Sequence, residues 1–338
     1  MIRHLVAIAV FLFPAVAQAD GRGAVLEAVV KEHVLPRFEQ LSARSGALHQ
    51  AATAECSASS EGLQQAYHAA FDAWVGVSHL RFGPSEVNDR AFALAFWPDT
   101  KGFTPKALAR LIRNQDSAAQ DVEAFSHVSI AGRGFYALEF LLFDERIASM
   151  GDATYRCDLV RAVTADIERN AGAILSDWRG GYGEALMHPG ADGRYRSEDE
   201  AVQEVFKALL VGLEFTQDTR LGRPLGTFER PRPKRAEAYR SGRSLRNVVV
   251  SVEATRELAA ILSRKAGSVA DTLDAAFARS LELAAGLGDP VFAGVATIQG
   301  RLEVEILQQS IGYIREIANT ELGPMLGVSA GFNALDGD

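Results

Sequence analysis

Apolar residues recur every three or four positions along most of the chain, which is the period of an α-helix and not of a β-strand. The first such stretch runs from Ala24 to Leu48, and Pro36 is expected to kink it. Further stretches with this period begin near residues 63, 105, 131, 157, 197, 245, 268 and 289. No segment alternates apolar and polar residues convincingly, as a half-buried strand would. The pattern predicts an all-α protein.

One stretch interrupts the helical pattern more than any other. Residues 180–196 are rich in glycine and charge, which indicates a linker. Related short sequences recur on both sides of it, at residues 81–84 and 220–224, and at 131–134 and 241–244. The sequence therefore predicts two helical domains, each resembling a four-helix bundle, over residues 20–185 and 196–326, with a tail at 327–338.

The N-terminus has the three parts of a secretory signal peptide. A short basic start precedes an apolar run from Leu5 to Val16, and Ala17-Gln18-Ala19 is a typical cleavage site. We expect residues 1–19 to be removed after Ala19, leaving a periplasmic or secreted protein. The apolar run is too short to span a bilayer and no later run approaches ~20 residues, so stable membrane insertion is not expected.

Charge and cysteine content narrow the classes of partner and compartment. The formal net charge of −8 argues against nucleic acid as a general partner. The chain contains only two cysteines, Cys56 and Cys157. In an exported protein such a pair favours one disulfide over two free thiols or half of a metal site.

Residues 131–147 are the most informative stretch for function. A helix there is apolar on every face, and Glu139 is its only charge between Phe135 and Phe143. A buried carboxylate must take up a proton, pair with a cation or bind a metal. We therefore expect a partner for Glu139 from elsewhere in the chain.

A basic span supplies candidate partners. Between residues 230 and 246 there is one acid, Glu237, and seven cations: Arg230, Arg232, Lys234, Arg235, Arg240, Arg243 and Arg246. This span is either a solvated basic surface or a binding site. With the hydroxyls of Ser241 and Ser244, it would suit a carboxylate, a phosphate or a uronate, or it would pair with Glu139.

Metal ligands are harder to find. His33 lies near the first apolar stripe, and Glu123 and His127 share one face of a helix expected over residues 105–127. A metallopeptidase would need ligands scattered among these three residues and Glu139. No H-E-x-x-H motif or phosphate loop occurs in the sequence, so an enzyme is the less favoured class.

Two further histidines have no metal-ligand spacing. His68 and His79 fall off the apolar stripe of the helix that begins near residue 63. We expect both at the surface or at the edge of the core.

The stretch Gly134-Phe135-Tyr136-Ala137-Leu138-Glu139 resembles the signature helix of the imelysin family of secreted bacterial proteins, whose motif is G-x-H-x-x-E. Tyr136 occupies the histidine position. Residues 96–99, 235–247 and 331–338 also resemble motifs of this family. The resemblance implies paired helical bundles with a site near their seam. Matched residue by residue, that site consists of Glu139, Tyr136, Arg240, Ser241, Arg243 and, less directly, Asp99.

The resemblance also implies a function. It indicates a non-catalytic exported binding protein associated with iron acquisition, with its ligand at the seam between bundles. A metallopeptidase and a binder of acidic polysaccharide are the alternatives. Candidate partners are a small anion, an iron species or an acidic polymer, and iron or another divalent metal is the only cofactor to consider. A phenol ligates metal less readily than an imidazole. We therefore expect the Tyr136 hydroxyl to join a network with Glu139 and an arginine.

Overall fold

The computed structural model describes residues 19–328, which form helices joined by turns, with no strand among them. The first ten α-helices are α1 (Ala19–Ala28), α2 (Leu35–Ala54), α3 (Glu61–Val77), α4 (Arg90–Leu94), α5 (Phe103–Asn114), α6 (Val122–Ser126), α7 (Gly134–Phe143), α8 (Glu145–Ala148), α9 (Ala153–Asp177) and α10 (Gly183–Met187). The remaining ones are α11 (Glu198–Glu214), α12 (Gly222–Leu225), α13 (Ser244–Leu262), α14 (Ser268–Gly286), α15 (Ile298–Ile317) and α16 (Gly323–Leu326). The all-α prediction is confirmed.

Two sequence predictions fall on residues that this description does not include. The signal peptide lies almost entirely before residue 19, and the terminal motif at residues 331–338 lies after residue 328. Within residues 19–328, no helix has both the length and the apolar character needed to cross a membrane.

Wide, π-helical turns continue several helices. One over Val29–Val34 joins α1 to α2, and the N–H of Leu35 donates to the carbonyl of Val30, five residues earlier. Pro36 lies in the first turn of α2, where its missing N–H is tolerated. The irregularity expected at this proline is therefore a local widening. Similar turns follow α9 (Trp178–Tyr182), α11 (Phe215–Leu221) and α15 (Ala318–Leu322).

The long helices pair in two groups. α2 packs against α3 and α9, and α7 packs against α9, whereas α13 packs against α11 and α14, and α14 against α15. α3 and α13 pack against each other and connect the groups. Their apolar faces form a continuous core that includes stacked rings such as Phe71 on Phe135. The division into domains at residues 185 and 196 stays a prediction. The expected linker is partly helical, because residues 180–187 belong to a π-helical turn and α10.

The single helix expected over residues 105–127 is wrong. α5 ends at Asn114 because Gln115 adopts a left-handed conformation with φ of 46°. The side chains of Asp116 and Asp121 then accept backbone N–H groups and start two new short helices. The helix expected from residue 289 also starts later, at Ile298. The apolar period continues through these segments, but the capping residues decide where each helix begins.

Cys56 and Cys157 form a disulfide, as predicted, with their Cα atoms 5.2 Å apart. The bond joins the connection between α2 and α3 to the first turns of α9. It closes a loop with a sequence separation of 101 residues. A cross-link of this span restricts the unfolded chain strongly.

We expect the double variant Cys56→Ser/Cys157→Ser to lose up to about 4.7 kcal/mol of unfolding free energy, the chain-entropy limit for a loop of this length. Urea denaturation followed by circular dichroism measures the loss. Wild-type protein reduced with dithiothreitol is the control and should unfold at the same urea concentration as the variant. Equal midpoints for the oxidised protein and the variant would contradict the expectation.

Candidate functional site

Three segments of the chain meet at the candidate site. They are the motif helix α7, the aromatic loop (residues 95–102) before α5, and the arginine-rich segment (residues 226–243) before α13. Gly134 at the start of α7 has φ of 72°, and a Cβ there would lie 2.3 Å from the carbonyl oxygens of Ala93 and Leu94. Only glycine fits this close approach, which fixes where α7 enters the core.

Glu139 is buried, with 2% of its surface exposed. Its Oε1 accepts hydrogen bonds from the backbone N–H of Ser241 at 3.0 Å and from the Ser241 hydroxyl at 2.9 Å. Oε2 accepts no hydrogen bond from any residue between 19 and 328. Burial raises the pKa of Glu139, and the bonds from Ser241 oppose this only in part. The partner of Glu139 is therefore a serine, and the expectation of a direct arginine partner is wrong.

Tyr136 reaches a different carboxylate. Its hydroxyl donates to Oε1 of Glu237, and Arg220 Nε donates to Oε2 of Glu237 at 2.8 Å. Arg220 and Glu237 are 3% and 2% exposed, so this ion pair is removed from water. Burial raises the pKa of Tyr136 well above its ordinary value, and the charge of Glu237 raises it further. Tyr136 is therefore a protonated hydrogen-bond donor, one helical turn from Glu139.

Further donors complete the surroundings of the Arg220–Glu237 pair. Arg220 also donates to the hydroxyls of Thr216 and Ser251 through Nη1 and of Ser78 through Nη2. This pair was not predicted from the sequence. Its only sequence signal was that Glu237 is the single acid in a strongly basic span.

The two motif arginines point in different directions. Arg240 lies between the rings of Phe140 and Tyr239 and donates to Asp144 at 2.8 Å. Arg243 is buried and donates to Asp72 on α3. Tyr136, Glu139 and Arg240 line one space, and Ser241 is bonded to Glu139 without lining that space. Arg243 does not line it either.

Asp99 belongs to the aromatic loop and caps α5. Its two oxygens accept backbone N–H groups from Lys101, Phe103 and Thr104. Burial pushes the pKa of Asp99 upward, but these hydrogen bonds outweigh burial and the pKa is lowered overall. The helix start thus compensates much of its negative charge.

A cavity of about 210 Å³ lies where the three segments meet. It is lined by the aromatic loop and the start of α5, by Tyr136, Glu139 and Phe140 on α7, and by Arg223 with residues between 234 and 240. A larger groove of about 700 Å³ lies beside α5 and α6, and neither Glu139 nor Tyr136 lines it.

Three cationic side chains that line the cavity have no ion-pair partner within residues 19–328. Arg223, Lys234 and Arg235 form no ion pair with the described residues. Arg223 is half-buried over the ring of Trp97, 5.6 Å from its centroid, and its Nε has no acceptor. Burial lowers the pKa of Arg223, and the positive charge of Arg235 lowers it further. A bound anion would relieve both effects.

The candidate metal ligands are not assembled into one site. Glu123 and His127 form an exposed pair with a nitrogen–oxygen distance of 3.7 Å. His33 is fully buried and contacts Glu257 at 3.2 Å, and Glu139 is bound by Ser241. Between residues 19 and 328, no three or more histidine, cysteine, aspartate or glutamate side chains are grouped so that they could hold a metal ion.

A buried histidine pair was missed. His79, expected at the surface or at the edge of the core, is 2% exposed, and its Nε2 lies 2.9 Å from Nε2 of His33. Burial lowers the pKa of both rings, most strongly for His79, where the positive charges of His33, Arg37 and Arg220 add to the effect. The hydrogen bond from His33 and the charge of Arg37 hold the pKa of Glu257 at about 2, although its partial burial opposes them. His79 lies two residues beyond the end of α3, where it meets His33 in the turn between α1 and α2, so the stripe of α3 gives no information on its burial.

The two buried carboxylates should differ in their contribution to stability. We expect Glu237→Ala to lower the unfolding free energy by about 3–5 kcal/mol, because it leaves the buried Arg220 without its counter-charge. Glu139→Ala should cost about 1–3 kcal/mol, because only hydrogen bonds from Ser241 are lost. Chemical denaturation of both variants measures the order. A larger loss in Glu139→Ala would contradict this assignment of partners.

The histidine pair predicts a pH dependence of stability. In the folded protein the pKa values of His33 and His79 lie below the ordinary histidine value of 6.5. Above that pH both rings are neutral in the folded and the unfolded chain, and their contribution to the unfolding free energy is fully present. As the pH falls below 6.5, the unfolded chain takes up protons that the folded chain excludes, and the unfolding free energy decreases. We expect the unfolding free energy to fall between about pH 7 and pH 5, and to fall less in His79→Gln. The exposed His188 provides a control, since His188→Gln should keep the wild-type slope. Identical slopes in all three proteins would contradict the expectation.

Comparison with known proteins places the chain. The Imelysin family model matches residues 34–317. Iron-regulated protein A of Synechococcus elongatus is 23% identical over 342 residues, covering 93% of this chain and 90% of the relative. An imelysin-like protein from Psychrobacter arcticum has the same fold, with a TM-score of 0.80, 21% identity and coverage of 97% of this chain and all of the other.

A second solved structure, a putative iron-regulated protein A precursor from Parabacteroides distasonis, aligns with a TM-score of 0.74 at 13% identity, over 90% of this chain and 95% of that one. Likenesses at such identities establish the fold alone. The family model, however, spans most of the sequence, including the α7 motif and the arginine-rich segment. The chain therefore belongs to the imelysin family.

Proposed function

We propose that this chain is an exported, non-catalytic binding protein associated with iron, and that it holds a small anionic ligand in the cavity between α7, the aromatic loop and the arginine-rich segment. The related protein named iron-regulated protein A supports the link with iron. The apolar run and Ala17-Gln18-Ala19 at the N-terminus support export to the periplasm or the medium.

One observation carries the proposal. Arg223, Lys234 and Arg235 line the cavity without ion-pair partners among the described residues. Arg223 is partly buried, and both its burial and the positive charge of Arg235 disfavour its charged form, so a counter-charge that reached it would be stabilising. An anionic ligand supplies that counter-charge, and an anionic iron chelate would do so as well.

The size of the cavity favours a small ligand over a polymer. Its volume of about 210 Å³ is below the ~300–1,000 Å³ of pockets for drug-sized molecules. An acidic polysaccharide needs an open cleft that admits several residues of the polymer. The enclosed position of Glu139 beneath the arginine-rich segment suits a compact molecule better.

The contacts of Tyr136 and Ser241 favour binding over catalysis. The phenol of Tyr136 is held by Glu237, and its raised pKa keeps it protonated. The hydroxyl and the N–H of Ser241 converge on one oxygen of Glu139. For a metallopeptidase, His33, Glu123, His127 and Glu139 would have to converge on one ion, and their contacts within residues 19–328 lie with other partners.

The test is ligand binding by protein purified without chelators. We expect phosphate, sulfate, citrate or ferric citrate to raise the melting temperature, since a ligand present at 100 times its dissociation constant stabilises by about 2.7 kcal/mol. Arg223→Gln and Arg235→Gln should weaken the shift. Arg230→Gln is the matched control, because Arg230 belongs to the same arginine-rich segment as Arg235 but does not line the cavity.

Metal analysis of the same preparation completes the test. We expect no stoichiometric zinc or ferrous iron in the protein alone, because no metal-ligand grouping was found within residues 19–328. Tight one-to-one binding of a divalent metal that disappears in Glu139→Ala with unchanged stability would contradict the proposal and favour a metal site.

A further inference from the structure

Two kinds of polar group around the cavity lack a protein partner among residues 19–328. The first are Arg223, Lys234 and Arg235, which line the cavity without an ion pair. The second is Oε2 of Glu139, a residue that also lines the cavity, and this oxygen accepts no hydrogen bond from the described part of the chain. We propose that the ligand is a hydroxycarboxylate, whose carboxylate faces the cations and whose hydroxyl donates to Oε2 of Glu139. This inference rests on the proposed function.

The free oxygen of Glu139 suits a ligand group that is neutral and donates a hydrogen bond. Oε1 already accepts two bonds from Ser241, whereas Oε2 belongs to a side chain that is 98% removed from solvent and lines the cavity. Because only 2% of Glu139 reaches solvent, a ligand that donates to Oε2 would supply a hydrogen bond that water supplies only in part. A hydroxyl can donate to the ionised carboxylate and can accept from the protonated acid. It therefore suits Glu139 in either state.

An ammonium group of a ligand would bind near Glu139 less well than a hydroxyl would. Arg240 lies beside Glu139, and three more cations line the same small space. Arg240 is already paired with Asp144, but Arg223, Lys234 and Arg235 have no ion-pair partner among the described residues, and these three would repel a positively charged ligand group. The ligand class is thus narrowed from zwitterions, such as free amino acids, to hydroxylated anions.

The unpaired cations of the cavity, Arg223 above all, suit a ligand carboxylate. Arg223 lies over the ring of Trp97, 5.6 Å from its centroid, and its Nε has no acceptor. A guanidinium group presents parallel N–H donors that match the two oxygens of a carboxylate. Lys234 and Arg235 are exposed, as expected of residues at an entrance, where they would attract an anion from solution.

The hydroxyl should decide specificity. A site built to bond a ligand hydroxyl rejects the analogue that lacks it, because a buried polar group is then left unpaired. Two pairs of commercially available acids differ by a single hydroxyl: malate with succinate, and citrate with tricarballylate. We expect the hydroxylated member of a pair to bind about 10-fold to 100-fold tighter than its partner.

Isothermal titration calorimetry of both pairs tests the inference on the mature protein. Glu139→Ala should bring malate and succinate within about twofold of each other while succinate keeps its wild-type affinity. Glu139→Gln is a second variant of nearly the same shape, and circular dichroism at the titration temperature verifies that each protein is folded. Arg223→Gln should weaken both members of a pair equally, and Arg230→Gln should weaken neither.

The outcomes separate the two proposals. Equal affinity within both pairs, with binding still dependent on Arg223, would overturn the hydroxycarboxylate inference and leave the anion site standing. Discrimination that persists in Glu139→Ala and in Glu139→Gln would overturn the role of Oε2. If none of the four acids binds, and phosphate and sulfate do not bind either, the proposed function fails together with the inference.

Discussion

The buried ion pair between Arg220 and Glu237 is the constraint on which the site depends. Arg220 follows α11, Glu237 belongs to the arginine-rich segment, and Tyr136 brings α7 to the same carboxylate. The desolvation cost of such a pair can exceed the attraction between its charges, so the pair is tolerable only when its remaining donors are bonded. Arg220 meets this condition through the hydroxyls of Ser78 and Ser251 on two further elements. Satisfying one charge therefore fixes the relative positions of the elements around the cavity.

The substitution of tyrosine for the motif histidine fits this arrangement. The phenol reaches Glu237 as a donor, and its ring stacks on Trp97 of the aromatic loop with centroids 6.1 Å apart. A neutral imidazole offers a donor and an acceptor, and it ligates metals readily. A phenol with a raised pKa keeps its proton and offers one hydrogen-bond donor, and here Glu237 accepts that hydrogen bond. Position 136 is thus part of the scaffold of the cavity as well as part of its lining.

Much of the fold could be predicted from local patterns, because helix periodicity, capping residues and the lone charge on α7 are properties of neighbouring residues. The disulfide followed from a count of two cysteines. The pairings that shape the site could not be predicted, since Arg243 and Asp72 lie 171 residues apart and His33 and His79 lie 46 apart. An apolar stripe identifies one buried face of a helix. It does not reveal a second neighbour that buries a polar residue elsewhere on that helix.

The π-helical turns carry a consequence for comparing family members. Each such turn holds one residue more than a regular helix needs, and one residue rotates the following side chains by about 100°. The turn over Phe215–Leu221 contains Arg220, so its extra residue sets the direction in which the guanidinium group points. A relative without this extra residue would show a one-residue gap at this turn when its sequence is aligned with that of this chain. Their residue aligned with Arg220 would then lie on another face of the helix, and sequence identity at that column would not mean the same role.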